Sequence, residues 1–350
     1  MDFSFTPEQD ELRRAVRDLA ERRIGSAKVR AAMATGGNDG ELWTTACSQL
    51  GLAGLAVPES AGGSGASWVE VGIVLEELGA SLAPIALLPH VVAASVIPAS
   101  MHGLAELAAG TKVAAVALGS GVTSAGAALV GRAEHVLHGA TADVFVVSAA
   151  DVDGEALFLV HGEVGREELI PVDQTRAQAT LTFEGSAAHR IGGQEAVDRA
   201  RDILRVAIAL ESVGAASRCL EMTVDYLKTR VQFGKVLGAF QALRHRAADC
   251  AVALEGATAT ARYASWVIDG DPAELPIVAP IAKALCTQTY RDIAAEMIQL
   301  HGGIGFTWVH DAHLYFKRAT ANLLLGGDPA AERRVLASRV DALASSLAPS

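Results

Sequence analysis

Apolar positions recur along this chain with two different spacings, and the change between them marks three regions. From Thr6 the spacing is helical, with Leu12, Val16 and Leu19 three or four residues apart and Arg23 closing the run. Thr6-Pro7-Glu8-Gln9 is a start signal, since Thr6 can cap, Pro7 suits a first turn and Gln9 completes a capping box. Further helices are predicted over 42–50, 68–78 and 87–97, with a short one over 104–109. A loop punctuated by Pro and Gly, Val57 to Gly65, lies between the 42–50 and 68–78 helices. The texture changes at Lys112. Residues 113–118, 144–148, 156–160 and 179–183 are short apolar runs set apart by Gly and Asp, the pattern of strands. From about Glu195 the helical period returns and holds to Ala344. It predicts helices over 195–229, 238–269, 273–301 and 329–346 and a shorter one around 311–323. Pro272, Pro276 and Pro280 crowd the start of the third of these. The expectation is an α+β, mostly α chain: an N-terminal helical domain over 1–111, a small β domain over 112–193 and a C-terminal four-helix bundle over 194–350.

Composition narrows the function classes. Hydrophobic residues make up 51% of the 350, and many are alanine, which favours helix. The net charge of −11 argues against a nucleic-acid partner, which requires a basic surface. No apolar run is long enough to span a bilayer, and Met1-Asp-Phe-Ser-Phe lacks the basic start and apolar core of a signal peptide. Cys47, Cys219, Cys250 and Cys286 are scattered without a CxxC, as expected of reduced cysteines in a cytoplasmic protein.

The chemistry concentrates between Glu296 and Arg318. An apolar helical run stops at Gly302-Gly303, where glycines accept positive φ and let another molecule approach the backbone. Aromatic and charged residues then alternate through Phe306, Trp308, His310, Asp311, His313, Tyr315 and Lys317. A helix end of this kind suits a phosphate, a carboxylate or a partner chain, although a Gly-Gly taken alone is more often a glycine cap leading into a buried turn. His310 and His313 have no third ligand at metal-binding spacing, so no metal is expected. His245 and Asp249 share one helix face at i, i+4 and read as a structural hydrogen-bonded pair. Arg230, taken by itself, is a surface arginine at a helix C-terminus, favourable by about 0.3–1 kcal/mol.

Two motifs change that picture. Gln299-Leu-His-Gly-Gly-Ile-Gly-Phe306 resembles the signature near the C-terminus of acyl-CoA dehydrogenases. Arg230-Val-Gln-Phe-Gly234, followed by Phe240-Gln241-Ala242 and by His245…Ala248-Asp249, resembles a second signature of that family, in the same order and separation. The resemblance implies a helical–β–helical fold, an acyl-CoA substrate and FAD, which takes a hydride from the β-carbon while a carboxylate removes the α-proton. It implies that Arg230, Phe233, Gln241 and Gln299, with the backbone of His301, Gly302 and Gly303, hold the FAD diphosphate and adenosine end across a subunit boundary. It also places a loop like Val57–Gly65 near the acyl-chain pocket.

Other family parts are missing. In the family a Trp-Ile-Thr-Asn segment meets the flavin ring, and its Trp and Thr positions fall on His135 and Leu137. The Thr-Glu-Pro…Gly-Ser-Asp loop is replaced by Ala117 to Gly126, and the β domain is shortened. The family's C-terminal Glu-Gly-Thr falls on Gly326, Gly327 and Asp328, and its alternative Glu position falls on Leu204. Neither Gly326 nor Leu204 can act as a base. Asp202 and Glu211 lie near the second position and read as solvated or paired helix carboxylates, while Asp328 is placed to cap the helix from Pro329. No catalytic residue is therefore assigned. Half of an FAD site kept and half degraded resembles the shorter subunit of bacterial α2β2 acyl-CoA dehydrogenases, including those of steroid degradation. The implied partner is a homologous catalytic subunit in a heterotetramer. The alternatives are a self-sufficient homo-oligomer with an unusual base and a flavin-free scaffold of the same fold.

Overall fold

A computed structural model describes residues 5–347. The first helix, α1 (Pro7–Arg23), opens on the expected capping box: the Gln9 amide donates to the Thr6 hydroxyl, and the Gln9 side chain accepts from the Thr6 N–H. After it come α2 (Ser26–Ala34), α3 (Gly40–Leu50), α4 (Trp68–Ala80), α5 (Leu87–Val96) and α6 (Leu104–Ala108). Of these α2 escaped the sequence reading, because its nine residues bury only Val29 and Ala32 and show almost no apolar stripe.

The middle of the chain is richer in strands than its apolar runs suggest. The seven are β1 (Ala114–Ala117), β2 (Val122–Ser124), β3 (Ala128–Leu137), β4 (Val144–Asp151), β5 (Gly154–His161), β6 (Gly165–Glu168) and β7 (Gln178–Gly192). The unanticipated β2 and β3 interrupt their buried apolar positions with polar or exposed ones, and β6 is exposed throughout. Pairings run from β4 through β2, β3, β7 and β5 and back to β4, so the sheet closes into a ring. β1 adds to β4 in parallel, and β6 adds to β7. The ring encloses its own core, which includes Phe145, Phe158 and Phe183.

Beyond the ring stand α7 (Gln194–Thr229), a hairpin of β8 (Val231–Gln232) and β9 (Lys235–Val236), α8 (Gln241–Gly270), α9 (Leu275–His301), α10 (Ala312–Leu324) and α11 (Pro329–Leu347). Pro276 sits in the first turn of α9 and buried Pro280 is carried within it, so the crowded prolines do not divide the helix. Asp328 accepts from the Ala331 N–H at 2.7 Å and caps α11. The first and last groups of helices share one hydrophobic core, from Val16 and Trp68 through Leu210 to Tyr290 and Ala319. The backbones of α4 and α7 meet at glycine: a Cβ on Gly79 would lie 2.3 Å from the Glu211 carbonyl, and one on Gly214 1.9 Å from the Glu76 carbonyl.

Candidate functional site

The residues of the two motifs gather at one end of the bundle. α7 ends at Thr229, and Arg230 leaves it in extended conformation. Gln232 and Lys235 pair around Phe233-Gly234, whose φ angles of 54° and 80° are both positive, as a two-residue hairpin that follows strand twist requires. Glycine adopts this freely and phenylalanine rarely does, so the strained residue is the one presented: Phe233 is 90% exposed. Its ring meets Phe240 edge-on at 6.2 Å, and the Lys235 ammonium lies 4.2 Å from the Phe240 centroid. Arg230 and Gln241 are exposed, and Arg230 forms no ion pair among the described residues.

The end of α9 lies beside them. His301 is buried and stacks on Tyr226 at 4.5 Å, and Arg246 pairs with Glu296 at 2.7 Å. These contacts bring the end of α9 against the end of α7 and the start of α8. The His301 Nδ1 lies 2.7 Å from the Met297 carbonyl oxygen, and burial pushes this imidazole below its ordinary pKa. The His301 side chain therefore faces inward and leaves only its backbone to a ligand. Gln299 is exposed, Gly302 has φ 62°, and nothing lies within 4 Å of a Cβ built on Gly302 or Gly303. The chain then makes a 3-10 turn and exposes Phe306, Trp308 and Val309 before Asp311 anchors it. Arg30 meets Asp311 at 2.6 Å and the Ser26 hydroxyl donates to it at 2.7 Å. A guanidinium, two amides, an aromatic face and open glycine backbone suit a diphosphate and its nucleoside. All of them face outward.

Some 26 residues back along α7 is the second locus, a cleft of about 820 Å³ between the β ring and the helices. His135, Leu137, Leu204 and Gly326 all line it, although they come from β3, α7 and the turn after α10. His135 sits at φ 56° where β3 slips register against β7, between Ala133 and Val136. Leu137 is buried and offers no hydrogen bond, so the wall does not fit the polar edge of a flavin ring. Buried Lys283 donates to the Gly327 and Leu323 carbonyl oxygens at 3.0 and 3.3 Å and fastens the Gly326 turn, burial pushing its ammonium down to about 8.

Two carboxylates border this cleft. Asp173 is fully enclosed. Burial by itself would raise its pKa, but Arg318 at 2.6 Å and Arg176 at 3.0 Å outweigh burial and hold it low. Glu134, exposed on β3, is the other, and the sequence reading missed it because β3 itself went unread. Asp202 and Glu211 are both paired, as expected, and neither lines the cleft. Asp202 meets Arg205 and Arg339, each at 2.8 Å, and burial pushes its carboxyl up against that pairing. Glu211 accepts from Arg176 at 2.9 Å, Arg318 at 2.8 Å and Asn322 at 2.8 Å.

One further expectation fails. His245 and Asp249 share a face of α8 but point to solvent with no hydrogen bond between them. The 57–65 loop does not line the cleft. It is a turn between helices, the Gly63 N–H donating to the Pro58 carbonyl and the Ser64 N–H to the Gly54 carbonyl of the turn before it. Among the described residues no three His, Cys, Asp or Glu side chains are placed to hold a metal. No helix among them is long and apolar enough to cross a membrane. Another cleft, of about 710 Å³ between α1, α4 and the bundle, is lined by paired charges such as Arg13 and Arg262 with Glu76.

Comparison with known proteins bears on the fold. Residues 6–110 match the acyl-CoA dehydrogenase N-terminal domain, and residues 192–340 match the acyl-CoA dehydrogenase C-terminal domain. The chain is 36% identical to the acyl-CoA dehydrogenase IpdE2 of Mycobacterium tuberculosis, over 95% of this chain and 97% of that protein. It is 34% identical to acyl-CoA dehydrogenase FadE34 of the same organism, over 95% of this chain and 48% of that longer protein. Among solved structures it is similar to a chain of the ChsE4-ChsE5 complex from Mycobacterium tuberculosis, with a TM-score of 0.91 at 25% identity over the whole of both chains. It is also similar to a chain of the Tcur3481-Tcur3483 steroid ACAD G363A variant, with a TM-score of 0.90 at 28% identity over 97% of this chain and 99% of that one.

Proposed function

Because the chain belongs to the acyl-CoA dehydrogenase family, we propose that it is the non-catalytic subunit of an FAD-dependent heteromer, completing the cofactor site of a homologous catalytic partner. The observation that carries this reading is the cleft. The positions that the resemblance assigns to the family's base and flavin-ring contacts fall on Gly326, Leu204, His135 and Leu137, which all line it, and none of them is a carboxylate or carries the family's side chain. At the far end of α7 the residues that the resemblance assigns to the nucleotide are present, and Arg230, Phe233, Gln241 and Gln299 are exposed with no side-chain hydrogen bond or ion pair among the described residues. Groups that face outward serve a molecule held by another chain. The ChsE4-ChsE5 relative is a complex of two named components, and the Tcur3481-Tcur3483 relative is a steroid ACAD, which supports a heteromer acting on a steroid acyl-CoA thioester.

When bound, the flavin supplies the hydride acceptor for dehydrogenation of the acyl group. This chain's part is binding and orientation. Arg230 pairs with the diphosphate, Gln241 and Gln299 hydrogen-bond the nucleotide, and Phe233 covers it. The backbone from His301 to Gly303 approaches the phosphates without side chains in the way. The proton-abstracting carboxylate belongs to the partner.

A flavin titration of the co-purified complex tests this. A hydrogen bond to a charged group contributes about 1.5–3 kcal/mol, so Arg230→Ala should weaken FAD binding by about ten- to a hundredfold. Excess FAD should restore most of the activity, and Gln299→Ala should act in the same direction but more mildly. Equal FAD affinity in wild type and Arg230→Ala, or stoichiometric flavin in this chain purified alone, would overturn the assignment.

A further inference from the structure

We propose that Arg30 is a positioning residue for the nucleotide end of the site: acting through Asp311 and His310, it fixes the loop of residues 302–309 in the shape that leaves the Gly302-Gly303 backbone open to the phosphates. The inference rests on the reading above that this backbone meets the FAD diphosphate.

The large apolar side chains of the loop do not hold it. Phe306, Trp308 and Val309 are 78%, 67% and 88% exposed. Trp308 leans on α10, its ring 4.6 Å from that of His313 and 4.6 Å from the Lys317 ammonium. Hydrogen bonds inside the loop are local, the Thr307 N–H and hydroxyl donating to the Ile304 carbonyl at 3.0 and 2.7 Å. The residues at its two ends meet each other instead. The rings of His301 and His310 lie 4.4 Å apart, and His301 is stacked on Tyr226 of α7. With His301 fixed by α7, the course of the loop depends on where His310 stands.

Helix α2 sets that place. The Arg30 Nη2 donates to the Asp311 Oδ1 at 2.6 Å and lies 3.4 Å from the His310 carbonyl oxygen. The Arg30 Nε donates to the Ser26 hydroxyl at 3.1 Å, and that hydroxyl donates to the same Asp311 oxygen at 2.7 Å. Asp311 stands at the start of α10, where an aspartate ordinarily accepts from the first free N–H groups. Here its side chain makes no cap bond, and the Ala312 N–H donates to the His310 Nδ1 at 3.1 Å instead. The carboxylate therefore serves the contact to α2, and capping passes to His310, which orients its ring. The Arg30 and Asp311 side chains are 30% and 23% exposed, and a pair that open to water adds little to global stability. Its effect is on position. The path from α2 to the glycines is contiguous, running from the guanidinium through Asp311 and His310 to His301 and Gly302.

Two measurements on the same variants test this. Amide hydrogen exchange is followed on the full chain without flavin, and FAD is titrated into the co-purified complex. Arg30→Ala should speed exchange over residues 302–311 by at least about tenfold and leave the rest of the bundle unchanged, because only a local opening becomes easier. It should weaken FAD binding by about three- to thirtyfold, with a melting temperature within about 2 °C of wild type. Arg30→Lys keeps the charge but not the forked geometry, and should fall between wild type and Arg30→Ala in both readings. Asp311→Asn should reproduce Arg30→Ala and stands in for it if that variant does not fold. Unchanged exchange over residues 302–311, weakened FAD binding without faster exchange there, or a rise in exchange across the entire chain would each overturn the proposal. Unchanged FAD affinity in Arg30→Ala beside weakened binding in Arg230→Ala would overturn it alone, whereas unchanged affinity in both variants would overturn the subunit reading with it.

Discussion

Arg318 shows how much of this chain depends on single buried charges. Its guanidinium is fully enclosed and divides between Asp173 and Glu211, with Thr175 accepting as well. Arg176 bridges the same two carboxylates and adds Asn322 at 2.7 Å. Two arginines and two carboxylates neutralise one another out of reach of water. Pairs of this kind add little net stability over an apolar core, but removing one member leaves a buried charge uncompensated. Glu211→Gln should therefore destabilise the fold by about 3–5 kcal/mol in a denaturant titration. A midpoint within 1 kcal/mol of wild type, in the sense of about a fivefold change in the folding equilibrium, would contradict this account of the network. Glu134→Gln tests the unpaired carboxylate at the cleft. It should leave both the midpoint and the dehydrogenation rate of the complex unchanged, and a large fall in kcat would show that this chain supplies the base.

At the scale of elements, the crossing of α4 and α7 holds the first helices to the bundle. Glycine is disfavoured inside a helix by about 1 kcal/mol relative to alanine, so Gly214→Ala improves the intrinsic helix propensity of α7. The added methyl would nevertheless meet the Glu76 carbonyl at 1.9 Å, a backbone atom that cannot rotate away. Overpacking of that kind costs about 1–3 kcal/mol or more, so the clash outweighs the propensity and the melting temperature should fall. A raised melting temperature would mean that the helices separate easily at this point. The segment after α9 has its own support. Arg30 and Ser26 on α2 hold Asp311, and the Ala312 N–H donates to the His310 Nδ1 at 3.1 Å, so the exposed aromatic run is fixed at its far end by the N-terminal helices.

The described residues form two cores, one inside the strand ring and one shared by the helices from α1 to α10, and buried histidines lie where they join. His90 on α5 accepts from the Ala114 N–H of β1 at 3.1 Å and packs edge-on against Trp43. Burial pushes its pKa to about 4. His138, just past β3, is pushed to about 3, first by burial and then by Arg176 and Arg318, against the opposing pull of Asp173. In the unfolded chain both would take a proton near the ordinary value of about 6.5. Between that pH and their folded values the unfolded state binds more protons, so stability falls as pH falls, by up to about 1.4 kcal/mol per pH unit for each group. Melting temperature should be level above pH 7 and drop steadily from pH 6 to pH 4. A flat profile over that range would show that both imidazoles accept protons in the folded state.

The sequence by itself determined the order of helices, strands and helices, the capping box at Thr6, the glycine stop at Gly302 and the two motifs that mark the family. All of these are written in local periodicity or in short contiguous runs, where neighbours in sequence are neighbours in space. It did not reveal β2, β3 and β6, whose stability comes from the strands beside them rather than from an apolar pattern of their own. Nor did it reveal the Asp173–Arg176–Glu211–Arg318 network, since residues 173 and 318 are brought together only when β7's approach segment packs between α7 and α10. The resemblance could say that the family's flavin and base positions fall on His135, Leu137, Leu204 and Gly326. Only the tertiary structure decided that they line one cleft between the β ring and the helices, with Glu134 and Asp173 at its border. The physical reason is burial. Charge, hydrogen-bonding capacity and hydrophobicity belong to each residue, but whether a group is paired, stranded or open to a ligand depends on what the fold places against it.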